Sequence, residues 1–113
     1  MSIEWVVEDT DASNEEIGTS LKELGFRRED KGSWLYRLKA SYRGVYAYRC
    51  GRGVAFRTYA GRNENDTKMQ MEAAITIVEK FGGKLRNSLN GQYLAIGLTR
   101  REKTENIERM LMK

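Results

Sequence analysis

The chain has 113 residues, a formal net charge of +4, one cysteine and neither histidine nor proline. That length suits one domain spanning residues 1–113, with a core large enough to fold without metal or disulfide staples. Without an imidazole, Ser-His-Asp and Cys-His catalysis are excluded, and a lone cysteine cannot build a Cys/His zinc site; any enzyme would have to use carboxylates, Lys, Tyr or a hard metal on oxygen ligands, and no catalytic residue, metal ligand or cofactor is assigned.

In chain order, Ile3, Trp5 and Val7 alternate with Glu4, Val6 and Glu8, which is the period of a half-buried strand. Ser13 followed by Glu16 has the spacing of a capping box, and Ile17, Leu21 and Leu24 then share one helical face, which Gly25 ends. Residues 27–32 read as a charged connection. Three strands follow over 33–40, 42–50 and 54–60, the last two joined by a Gly51-Arg52-Gly53 turn. Asp66 or Thr67 is placed to cap a long helix running to about Phe81. Met71, Ala74, Ile75, Val78 and Phe81 form its apolar stripe, and Gly82-Gly83 stops it. Residues 85–91 read as irregular or a short strand, and 93–99 as a buried strand. Thr99 and Glu102 open a last helix with Ile107, Met110 and Leu111 on its inner side. The order β-α-β-β-β-α-β-α predicts an α+β fold, an antiparallel sheet with its helices packed on one face.

The functional signal lies in residues 31–62. This segment holds eight Lys and Arg, no Asp or Glu, and seven of the eleven aromatics, so it carries +8 and the rest of the chain −4. If the helices cover one sheet face, the other meets solvent or a partner. Alternation assigns Trp34 and Tyr36 to the core. Arg37, Lys39, Arg43, Arg49, Arg57 and Tyr59 fall on the free face, and Arg52 in the turn. The middle strand admits two registers, because either Tyr46 and Tyr48 or Val45 and Ala47 can face inward. With Val45 and Ala47 inward, Tyr46 and Tyr48 join the free face, and Arg43 and Arg49 move to the strand's ends on the helix side. Guanidinium groups fork onto phosphate and neighbouring rings stack on bases, so the pattern predicts contact with DNA or RNA. Arg37, Lys39, Arg43, Arg49, Arg52 and Arg57 would meet phosphate. Tyr59, with Tyr46 and Tyr48 in the second register, would stack.

Two other classes compete. The same basic face suits an acidic protein partner, as in a small subunit or inhibitor, and opposite patches on one small chain can drive head-to-tail self-association, so the chain is expected as a monomer or a homodimer. A metal-dependent nuclease is suggested by helix–three strands–helix–strand, the order of the restriction-endonuclease-like fold, and by the E-x-K triplet Glu29-Asp30-Lys31. That chemistry needs carboxylates on the second and third strands to hold Mg²⁺, and those strands contain none. The α-β-β-β-α order of residues 13–81, with Lys68, Ala73 and Ala74 early in its second helix, also resembles the double-stranded RNA-binding domain. The resemblance implies contact with duplex RNA. Lys68 stands alone where that family has a lysine cluster, and the first strand and all that follows residue 81 fall outside it.

No apolar run approaches the roughly 18 residues of a membrane helix. The start MSIEWVVEDTD carries acids where a secretory leader needs a basic region. A cytoplasmic location without membrane contact is therefore expected, and the single Cys50 agrees with a reducing compartment.

Overall fold

The computed structural model describes residues 2–37, 44–59 and 63–93. Its elements are β1 (Ile3–Glu8), α1 (Asn14–Glu23), β2 (Arg27–Asp30), β3 (Ser33–Tyr36), β4 (Val45–Cys50), β5 (Gly53–Thr58), α2 (Glu64–Phe81) and β6 (Lys84–Asn87). The fold is α+β. The six strands form one antiparallel sheet in the order β2-β3-β4-β5-β1-β6. The N-terminal strand is thus an interior one, inserted between β5 and β6.

Local chemistry explains the ends of the helices. Ser13 and Glu16 form the expected capping box, with reciprocal bonds of 3.1 and 3.0 Å. At the other end of α1, Gly25 takes φ +102°, which costs a glycine little. Its amide donates to Lys22 O and that of Phe26 to Leu21 O, a Schellman closure that turns Phe26 back into the core. The cap of α2 differs from expectation. Asn63 is the N-cap, and Asp66 is the third helical residue, returning a bond to the Asn63 amide. An Asn-x-x-Asp box satisfies two amides at once, which neither Asp66 nor Thr67 as the cap would do.

The strands differ from the sequence pattern in three places. Residues 27–30 are not a connection but the edge strand β2, exposed at all four positions. Backbone pairing with β3 needs no apolar side chain, and a charged edge discourages further strands. β3 ends at Tyr36 and β4 begins at Val45, so both are shorter than 33–40 and 42–50. The α-β-β-β-α order of the resemblance becomes α-β-β-β-β-α. Residues 84–87 form β6, and Tyr93 makes one bridge to Arg86. The rest of the 93–99 strand, the Thr99–Glu102 box and the last helix lie outside the described residues, as do Lys39 and Arg43.

Both helices lie on one face. α2 packs over β1, β4, β5 and β6, and α1 packs over β2 and against α2. Registers align Trp34, Ala47, Phe56 and Trp5 in one row across four strands, and all four are buried. Ile17, Leu21, Ala73, Ala74, Ile75 and Ile77 complete the core from the helices. Gln70 is a polar exception at 1% exposure. Its amide nitrogen donates to Ile3 O at 2.9 Å and Phe56 O at 2.7 Å, and its oxygen accepts from the Thr58 hydroxyl. The helix is thereby keyed to the β1–β5 seam. No helix among the described residues is long and apolar enough to cross a membrane.

Candidate nucleic-acid interface

The row one residue away on the same strands runs Leu35, Tyr46, Arg57 and Glu4, and it lies on the face that neither described helix covers. The next row on that face is Ser33, Tyr48, Ala55, Val6 and Arg86. Val45 and Ala47 are fully buried on the helix side, so β4 adopts the register that turns Tyr46 and Tyr48 outward. The reason is packing. α2 passes over β4, and Val45 and Ala47 are small enough to lie beneath it.

The outward rings form a layer. The Tyr46 and Tyr48 centroids are 5.9 Å apart at a tilt of 36°. The Arg57 guanidinium lies 5.6 Å from the Tyr48 centroid and 6.0 Å from that of Tyr59. Glu4 anchors it: its carboxylate accepts from Arg57 Nη2 at 2.6 Å, Arg57 Nε at 2.8 Å and the Tyr48 hydroxyl. Burial, then the bond to Glu4, pushes the Tyr48 phenol up to about 12. Four residues along β1 the arrangement recurs. Glu8 accepts from Arg86 and from the Tyr93 hydroxyl. The hydrogen bond from Arg86 is the main reason the Glu8 carboxyl titrates below its ordinary range.

The structure separates the residues that the sequence grouped. Tyr46, Tyr48, Arg57 and Tyr59 come together, and Arg37 is exposed just beyond β3, at the same end of the sheet as Tyr46 and Tyr59. Arg49 does not join them. It sits on the helix side, where its Nη1 donates to Ala12 O at 2.9 Å. Arg52 is at the opposite end of the strands, paired with Asp11 at 3.1 Å across exposed surface. Lys39 and Arg43 are outside the described residues. Glu4 and Glu8 were missed as parts of this face. Their alternation with Trp5 and Val7 marks them as outward, but nothing local to β1 says which strand they meet.

The charge on the described surface is also not the charge of the segment. The described residues carry 12 Lys and Arg against 13 Asp and Glu, a balance of −1, so the remaining residues carry +5. Among the described residues no three acids or thiols gather to hold a metal ion. Glu29 of the E-x-K triplet accepts from Arg27 at 2.7 Å at the sheet edge. On the helix side, a groove of about 600 Å³ opens between α1 and β2, floored by Phe26 and Trp34 and rimmed by Lys22 and Arg28. Neither a scan against protein-family models nor a search of curated proteins finds a match to this chain.

Proposed function

We propose that this protein is a small non-enzymatic nucleic-acid-binding domain that works through the sheet face that neither described helix covers. The observation that carries the reading is the contiguous layer of Tyr46, Tyr48, Arg57 and Tyr59 on that face. Aromatic and guanidinium planes on a sheet surface are what bases stack on. Arg37 supplies a cation at the same end of the sheet, and Lys39 and Arg43 belong to the acid-free segment that continues from it. Arg49 and Arg52 leave the proposed contact set, one engaged inward and the other at the far end of the strands. The single thiol, Cys50, suits a cytosolic setting; it is exposed, and partial burial raises its pKa above the ordinary thiol value.

Fluorescence anisotropy with labelled single- and double-stranded DNA and RNA at two salt concentrations tests the reading. Binding at low salt that weakens as salt rises is expected. Arg37→Ala/Arg57→Ala should weaken it while the thermal transition persists. Absence of binding to every oligonucleotide at low salt overturns the reading.

A second reading, a protein-interaction module whose basic segment meets an acidic partner, draws on the +8 carried by residues 31–62 and on the exposed Leu89 and Tyr93 beside β6. Light scattering at low and high salt separates the two. A salt-sensitive oligomer that ignores oligonucleotides favours the module, and a monomer that binds them favours the first reading.

A further inference from the structure

We propose that the groove between α1 and β2 is a binding site for a small organic carboxylate, an apolar body carrying one negative charge. It lies on the helix side of the sheet, away from the layer around Tyr46 and Arg57, and stands independently of the nucleic-acid reading.

The groove holds about 600 Å³, within the range of sites that take small ligands. One flank of α1, from Asn14 to Lys22, forms one wall, and Phe26, Arg28 and Trp34 form the other. Its free donors set the chemistry of the ligand. Trp34 is only 3% exposed, yet its indole N–H donates to no acceptor among the described residues. A buried donor left unpaired costs free energy, which an acceptor on a ligand recovers. Lys22 and Arg28 are exposed and enter no ion pair among the described residues, whereas Arg27 is held by Glu29 at 2.7 Å. Two unpaired cations and an unpaired N–H suit a carboxylate, whose two oxygens match the guanidinium fork. Glu15 is the one acid in the lining, about two helical turns from Lys22. It disfavours a multiply charged anion and leaves the Lys22 end to a single charge.

Gly18 keeps the indole within reach. A helix interior disfavours glycine, and no positive φ calls for one here. A Cβ at this position would lie 3.2 Å from Trp34 Nε1. The bare Cα therefore leaves space beside the one polar atom of the ring. A peptide laid along β2 fits less well. That strand is short, charged and exposed, and its register shifts between Arg28 and Asp30, which makes a poor edge for an added strand.

The site is tested by ¹H–¹⁵N spectra of the full chain titrated with phenylacetate, with its neutral counterpart 2-phenylethanol and with inorganic phosphate. The two tryptophans supply a reporter and a control. The Trp34 indole signal should move and saturate with phenylacetate, while that of Trp5, at 0% exposure in the core, should stay. Trp34→Phe assigns the two signals. Affinity for 2-phenylethanol and for phosphate should be weaker by roughly tenfold or more, the worth of a charge-assisted hydrogen bond. Lys22→Ala/Arg28→Ala should lose a similar factor for phenylacetate, and Gly18→Ala should weaken it while the thermal transition persists. A Trp34 signal that stays in place or drifts without saturating overturns the inference. So does binding that survives Lys22→Ala/Arg28→Ala or Gly18→Ala unchanged, or a shift shared equally by Trp5. Equal affinity for 2-phenylethanol, or tighter binding of phosphate, overturns the assignment to a carboxylate.

Discussion

Two rows of side chains, one residue apart on the same strands, behave as different materials. Trp34, Ala47, Phe56 and Trp5 are nearly free of water and are held by shape beneath the helices. Leu35, Tyr46, Arg57 and Glu4 remain partly exposed and are held by direction, through a carboxylate that fixes a guanidinium and a phenol. The difference follows from what each row meets. Apolar burial on the helix side is worth about 1.5–3 kcal/mol per large side chain. Ion pairs that water still reaches are worth about 0–1 kcal/mol. The inner row therefore stabilises the fold. The outer row adds little to stability and is free to be shaped by a ligand.

Truncating the inner row should break the molecule. Phe56→Ala removes a ring at 0% exposure and should cost about 3–5 kcal/mol, because the packed neighbours relax only partly around the cavity. Urea titration reads this directly, and a loss below about 1 kcal/mol would show that the row is not the structural one. A polar change on the same face should fall next. Gln70→Leu leaves the carbonyls of Ile3 and Phe56 without their side-chain donor, and about 1–3 kcal/mol should go with them. Equal stability of wild type and variant would mean that the keying of α2 to the β1–β5 seam is incidental.

The outer row should respond least in stability and most in titration. The Tyr48 phenol is raised to about 12 against an ordinary value of 10.0. Its contribution to stability is therefore complete below pH 10 and is lost as pH rises toward 12. In Glu4→Gln the midpoint should fall but stay above the ordinary value, since burial is the larger cause and survives the change. Tyrosinate absorbance reads the midpoint, with Tyr48→Phe identifying the signal. An unmoved midpoint would separate Glu4 from the ring layer.

Much of the candidate site could be read from alternation. Arg57 and Tyr59 are outward because Phe56 and Thr58 are inward, and a period of two leaves no other choice once the core face is known. Tyr46 and Tyr48 could not be placed that way. Two tyrosines or Val45 and Ala47 make equally regular strands, and only the helix lying over β4 selects the smaller pair. Arg49 shows the converse. Its position in an acid-free segment suggests phosphate, yet it shares a face with Val45 and Ala47 and reaches the Ala12 carbonyl.

The sequence alone determined the α+β class, the faces of β1 and β5, the box at Ser13 and the closure at Gly25. These depend on residues two to four apart, where strand and helix periods and capping spacings act. Only the tertiary structure decided that β1 lies between β5 and β6. That placement brings Glu4 to Arg57 across 53 residues and Glu8 to Arg86 across 78. An acid-free stretch of sequence need not become an acid-free surface, because the carboxylates that face it come from a strand paired over a distance no local pattern encodes.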